Sequence, residues 1–404
     1  MSHSEIRNAV VLVIDRLGAN MLGAYGSTWF ETRNFNRMAA RSLVFDHAIT
    51  QTNELAAAYR GLWMPGVDQS LMAQIGEAGA SPVLLTDDPE IANLPSADDF
   101  DRIVPVDSGI TQGVAATMEQ TELANFFAQA AHAMTEMDSG SCLWLHSRGL
   151  SGAWDAPQRL REQLADPEDP DPPTLHHPPA KLFDPSVDDP DELLGYQQVC
   201  AAQVTLIDDF LGVLLDLLDT DMGQSTLFCL LSTRGYPLGE HGLVGESGAE
   251  EFGSCYSESV HVPMMVCCPN RPEFEFTQSV RNGSLVQPSW ISGLLAQWFG
   301  TGQAMQETMA SISRTFPQKR REVACSIRGE TAAIQTHAWK LIHDQFKDEL
   351  FAKPDDRCEV NDVSRRCPHI VESLTQIIDQ LVVDNKIVMP TDFELAEELA
   401  TRMD

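Results

Sequence analysis

The chain has 404 residues, 43% of them hydrophobic, and a formal net charge of −32. That is enough apolar material for one large domain with a small appendage, under a surface that repels nucleic acid and other polyanions. No run is long and apolar enough for a transmembrane helix, the start Met1-Ser2-His3-Ser4-Glu5-Ile6-Arg7 lacks a signal-peptide core, and nine cysteines, an odd number, sit mostly in apolar runs (Cys142, Cys229, Cys267, Cys268) as reduced thiols would. A cytoplasmic protein without membrane contact is expected.

In chain order, Asn8-Ala9-Val10-Val11-Leu12-Val13-Ile14-Asp15 is an apolar run closed by an acid, the pattern of a parallel strand buried on both faces. Further strands are predicted at 82–86, 142–146, 226–232 and 263–267. Helices are predicted at 121–134 and at 196–218, where Val199, Val204, Ile207, Leu211 and Leu215 keep helical spacing. The alternation argues for an α/β fold around a mostly parallel sheet with helices on both faces. Residues 165–191 are crowded with Pro and Asp and read as a surface loop. Its adjacent His176 and His177 are expected to be solvated rather than to bind metal. Past residue 315, strands at 323–327, 332–336 and 340–343 form a small antiparallel sheet, so the chain divides into 1–315 and a C-terminal unit at 316–404. No internal repeat is visible.

The chemistry-bearing run is Leu231-Ser232-Thr233-Arg234-Gly235-Tyr236-Pro237-Leu238-Gly239-Glu240-His241-Gly242-Leu243. It resembles the sulfatase signature, in which a strand ends in Thr-Ser-Asp-His-Gly and a Leu-Gly-Glu-His-Gly-Leu loop follows. Four other segments resemble the same family in the same order. They are Asp15-Arg16-Leu17-Gly18 continuing to Gly23-Ala24-Tyr25-Gly26, then Phe35–Ala39 with Leu43–Ala48, then Tyr256-Ser257-Glu258-Ser259-Val260-His261-Val262-Pro263, and finally Trp339-Lys340-Leu341-Ile342 with Glu349-Leu350-Phe351. The resemblance spans most of the chain. It implies the three-layer sandwich of the alkaline phosphatase superfamily, with a small antiparallel C-terminal subdomain.

In that family a calcium ion held by Asp residues of two strands polarises a sulfate ester. A formylglycine made from Cys or Ser in Cys/Ser-x-Pro-Ser-Arg attacks it, and Lys, His and Arg neutralise the developing charge. Carried over position by position, these parts are largely missing. Placing Arg60 on the motif's Arg puts Ala56 at the nucleophile, Ala58 at the Pro and Tyr59 at the Ser, and alanine has nothing to modify or to attack with. Asp15 remains, but Arg16 stands where many members carry a second Asp. Thr233 and Arg234 replace the Asp and His of the second strand, and a guanidinium cannot ligate a hard cation. The expectation is that the Arg234 charge lies where the cation would, paired with Asp15. Gly149-Leu150-Ser151 falls where Asp-Pro-His should be, and Glu246 reverses the sign of the expected Lys. His146, His241 and Arg60 survive as vestiges.

Three readings follow. The first is a pseudoenzyme, a sulfatase fold without the chemistry that binds a protein or small-anion ligand and carries no cofactor. The second is a divergent sulfuric or phosphoric ester hydrolase using Thr50, Thr52 or His146, with calcium. The third is a metal-free anion binder built on Arg16, Arg60 and Arg234, with Arg148 nearby. Nucleic acid and membrane are not expected partners.

Overall fold

A computed structural model describes residues 7–64, 69–107, 109, 113–245, 254–269, 280–301, 322–383, 386–387 and 395–400. Among these, nine strands build the large sheet: β1 (Asn8–Ile14), β2 (Leu43–Ile49), β3 (Ser81–Thr86), β4 (Arg102–Pro105), β5 (Ser141–Ser147), β6 (Thr226–Leu231), β7 (His261–Val262), β8 (Met264–Cys267) and β9 (Val280–Val286). The order is β9-β2-β8-β6-β1-β5-β3-β4, with β7 added beside β2. β1 lies between β5 and β6, parallel to both and buried throughout. Its alternate residues serve opposite layers, as the two-residue strand period requires. Val10, Leu12 and Ile14 join the core under the helices Glu122–Thr135 and Pro190–Leu218. Ala9, Val11 and Val13 join the core under Leu55–Trp63, Leu71–Glu77 and Trp290–Phe299. Three layers result.

Caps explain where the two long helices begin. Thr121 accepts a hydrogen bond from Ala124 N at 3.1 Å and starts Glu122–Thr135. The longer helix starts six residues before its predicted position, because Asp189 caps it and Pro190 occupies its first turn, where proline forfeits no hydrogen bond. The strand near residue 264 departs from the parallel expectation. The chain leaves the carboxyl end of β6, loops, and re-enters the sheet at that same end, so β8 runs antiparallel to β6 and to β2. β9 also pairs with β2, in parallel, and was not anticipated. No helix among the described residues is long and apolar enough to cross a membrane. The 165–191 stretch is largely irregular, and no metal-binding group of His, Cys, Asp and Glu occurs among the described residues.

The C-terminal sheet is β10 (Ala324–Arg328), β11 (Thr331–Gln335), β12 (Trp339–His343) and β13 (Asp348–Ala352), antiparallel throughout and in that order. The helix Pro368–Leu381 packs Ile370, Leu374, Ile378 and Leu381 onto it, a single stripe at helical spacing. The expected division at residues 315 and 316 lies outside the described residues. A buried charge cluster fastens this unit to the large domain. Lys340 Nζ donates to Glu359 Oε1 and Oε2 at 2.9 and 3.0 Å, and Lys353 Nζ donates to Oε1 at 2.7 Å. Ser257, on the large domain, donates its backbone N–H to Glu359 Oε2 at 2.9 Å.

Burial alone would raise the Glu359 pKa, but Lys340 and then Lys353 outweigh it and hold the carboxyl at about 2. A group depressed below its unfolded value of about 4.3 stabilises the fold at neutral pH, and that stability is lost as pH falls from there toward 2. Urea midpoints measured across this acid range are expected to fall in the wild type. In Glu359→Gln the slope should be flatter and the protein less stable at neutral pH, because two buried ammonium groups lose their counter-charge.

Candidate functional site

Strand register gathers the site. Ile14 lies opposite Ser147 and Val13 opposite Leu231, so the residues that follow β1, β5 and β6 leave the sheet at one edge. This is the carboxyl edge, where open α/β sheets place their sites. The loop after β1 is tight. Arg16 adopts a φ of 63°, and Gly149 approaches so closely that a Cβ would sit 2.5 Å from the Asp15 carbonyl. Gly235 is equally constrained, since a Cβ there would stand 2.0 Å from the Glu258 carbonyl. Neither position admits a larger residue without backbone movement.

Asp15 is fully buried. Arg234 Nε donates to Asp15 Oδ1 at 2.9 Å and its NH2 to Oδ2 at 2.8 Å, the two-pronged geometry of a guanidinium on a carboxylate. The Thr233 hydroxyl donates to Oδ1 at 2.9 Å, and the Ser151 hydroxyl donates to Oδ2. Arg234 NH1 reaches the Asn53 carbonyl at 2.9 Å, just before the helix Leu55–Trp63. Burial by itself would push the Asp15 pKa up. The Arg234 charge and hydrogen bonds, with Arg16 adding, reverse that and hold the carboxyl well below its usual range. Arg234 thus meets Asp15 as the sequence pattern predicts. Ser151 and Asn53 were not anticipated, because only the folded register brings them to Asp15.

Ala56 lies in the first turn of Leu55–Trp63 and offers only a methyl group. Tyr59, one turn on, is fully buried, edge-on to Trp63 with ring centroids 4.5 Å apart, and its hydroxyl makes a short contact with His146 Nδ1. His146 Nε2 stands 3.7 Å from Asp88 Oδ2, too far for a hydrogen bond. Asp88 caps the short helix Pro89–Ala92, and burial pushes the neighbouring Asp87 carboxyl up to about 6. His146 is therefore packed into the domain and engaged by a phenol.

The three arginines part company. Arg234 is paired. Arg16 is buried, its guanidinium 5.9 Å from the Tyr236 ring. Arg60 is exposed on its helix. Arg148 is paired with Glu122, its NH2 donating to Oε2 at 2.7 Å. The Thr50 hydroxyl is buried and donates to the Thr52 carbonyl at 3.0 Å, while the Thr52 hydroxyl accepts from Glu54 N. His241 lies between Glu258 and the Glu359 carbonyl, at 2.8 and 3.0 Å. Glu246 lies outside the described residues.

These residues do not fit calcium. The cation needs six to eight oxygen ligands, and both Asp15 oxygens are already taken by a guanidinium and two hydroxyls. The arrangement provides a fixed monovalent charge, with no exchangeable coordination position.

No family model and no curated protein matches the chain. Solved structures do. A 2-O GAG sulfatase superposes with a TM-score of 0.70 at 14% identity, covering 94% of this chain and 92% of its own. The phosphonate monoester hydrolase of Agrobacterium radiobacter superposes at 0.69 and 14% identity, covering 93% and 95%. The chain therefore shares the fold of these sulfatase and phosphonate monoester hydrolase structures.

Replacing Asp15 by Ala deprives the mostly buried Arg234 guanidinium of its carboxylate and is expected to destabilise the protein by about 3 kcal/mol in urea unfolding. The double change Asp15→Ala with Arg234→Met should recover much of that loss. An Asp15→Ala protein as stable as wild type would show that the pair carries no energetic weight.

Proposed function

We propose that this sulfatase-fold chain is a catalytically inactive homologue, a binding or regulatory module in which an internal ion pair stands in for the metal. The observation that carries the reading is the two-pronged Asp15–Arg234 bond. A guanidinium there supplies positive charge, as a cation would, but it cannot take an ester oxygen into its coordination sphere or acidify a bound water. Ala56 at the nucleophile position removes the other half of the reaction independently. Tyr59 supports the same reading, because its ring fills space beside His146 and ties up Nδ1. The ligand proposed for the module is a protein or a small anion, in a cytoplasmic setting that nine free cysteines support.

The divergent-hydrolase alternative needs Thr50, Thr52 or His146 to act. The two threonine hydroxyls are committed to the loop that carries them, and His146 lies against a buried phenol. Arg60, Arg16 and Arg234 as one anion pocket is also disfavoured, since Arg60 faces solvent and Arg234 is held by Asp15.

Two measurements test the proposal. Purified protein is expected to carry no stoichiometric calcium or magnesium by elemental analysis, to keep its Tm in EDTA, and to leave aryl sulfates and aryl phosphates intact. A chelator-induced fall of several degrees would mark a bound stabilising metal and end the proposal. Restoring only the nucleophile, by Ala56→Cys with Ala58→Pro and Tyr59→Ser, should yield no turnover even with the maturation enzyme present. Adding Thr233→Asp, Arg234→His and Glu246→Lys is the smallest set expected to give detectable activity.

A further inference from the structure

One cavity, of about 360 Å³, lies where the large sheet's edge meets the C-terminal unit, with a lining distinct from the Asp15 cluster. It shares no lining residue with that cluster, so whether it is occupied does not depend on whether the degenerate centre is inactive. Three imidazoles meet in it. The His47 ring, on β2, stands 6.1 Å from that of His261 on β7 and 6.4 Å from that of His337 in the C-terminal unit. His261 Nε2 is committed to the Asp46 carbonyl at 2.8 Å. His47 is half-buried; its backbone pairs in the sheet, and its ring makes no hydrogen bond to any described residue.

The charged neighbours are unequal in their freedom. Asp46 is taken by Arg281, whose Nε donates to it at 2.7 Å. Glu258 is bonded to His241, and Glu240 accepts from Leu238 N at 2.7 Å. Lys353 is turned onto Glu359. Arg357 is exposed at the rim and uses one NH2 on the Tyr25 carbonyl, which leaves donors of its fork to spare. Burial first, then His47, Lys340 and Arg357, hold the His261 imidazole down at about 3. Burial also lowers His47, with His337, Lys353 and Arg357 adding to it against Asp46. The cavity thus sets Arg281, Lys353 and Arg357 against Asp46, Glu240 and Glu258, and of these cations Arg357 keeps donors to spare. Ile49, Leu285 and Pro354 give it an apolar wall, and its volume lies at the lower end of the range for small-molecule sites.

We propose that this cavity binds a small organic oxyanion, a carboxylate or a phosphate monoester, with its charged head against His47 and Arg357 and its carbon body along Ile49 and Leu285. An anion beside His47 favours the imidazolium, so binding takes up a proton and tightens as pH falls. An inorganic ion would leave the apolar wall uncovered.

The test is calorimetric titration of the full chain with benzoate and with phenyl phosphate, at about pH 6 and about pH 8, in buffers of differing ionisation enthalpy. At least one probe is expected to saturate, several-fold tighter at the lower pH, with net proton uptake. His47→Gln should weaken binding about tenfold and abolish the proton uptake, and Arg357→Ala, at an exposed position, should weaken it without touching the core. Binding of either probe supports the site, and the preference between them identifies the head group. No saturation by ~10 mM of either probe overturns it. So does binding unchanged in the His47→Gln/Arg357→Ala double variant, or binding that is lost instead in Arg60→Ala.

Discussion

The Asp15–Arg234 pair is the constraint on which the carboxyl edge of the sheet depends. A carboxylate with no exposed surface cannot remain ionised alone, since the desolvation penalty amounts to several kcal/mol even after relaxation. This chain meets that demand with a planar cation of its own, Arg234, just past the end of β6. The choice of arginine matters. Its fork satisfies both carboxylate oxygens and still leaves NH1 for the Asn53 carbonyl, so one side chain closes three segments: the end of β1, the end of β6 and the loop before the Ala56 helix. A lysine ammonium could neutralise the charge but could not span that geometry. The two hydroxyls of Thr233 and Ser151 then fill the remaining acceptor positions. The site is closed by satisfaction of its polar groups, which is a different state from a metal site missing its metal.

Local chemistry made much of this legible from the sequence. A run such as 9–14, apolar at every position and rich in β-branched residues, reads as a strand covered on both faces. A strand ending in Asp with an arginine where a second strand's ligands belong leaves few other homes for either charge. What the sequence did not disclose lies in register and direction. Ser151 reaches Asp15 across 136 positions, because Gly149 lets the chain pass within contact of the Asp15 backbone. Nothing in Gly149-Leu150-Ser151 taken alone marks the serine. Tyr59 was legible as the loss of a motif serine, but its contact with His146 needed the packing of one helix onto β5. Strand direction near residue 264 was hidden for a related reason: a short apolar strand reads the same whichever way it runs, and only the path of the preceding loop decides.

A second buried charge cluster works in parallel with the first. Lys340, Lys353 and Glu359 put two cations on one carboxylate inside the joint between the C-terminal sheet and the large domain. The Glu359 oxygens also take the Ser257 N–H and hydroxyl. Like the Asp15 cluster, this one joins segments far apart in sequence through a single carboxylate. Any slip at this joint would strand a charge without its partner. The histidine cavity lies along the same joint, and Lys353 belongs to both.

The Leu238-Gly239-Glu240-His241-Gly242-Leu243 loop is held in place at this joint. His241 stacks on Tyr256 at 3.6 Å and 4°, bonds the Glu258 carboxylate through Nδ1 and reaches the Glu359 carbonyl through Nε2. Burial disfavours its protonation, but Glu258 outweighs burial and holds the imidazole above its ordinary range. The ring therefore links the loop to the large domain on one side and to the Lys–Glu–Lys cluster on the other. Glu240, next to it, closes the loop by accepting from Leu238 N. A loop with these duties is held by packing and hydrogen bonds whether or not any ester is cleaved. Thr233 and Arg234, by contrast, needed only to keep Asp15 satisfied. The two neighbouring halves of this segment thus meet different physical demands: 238–243 braces the joint, while Thr233 and Arg234 satisfy Asp15.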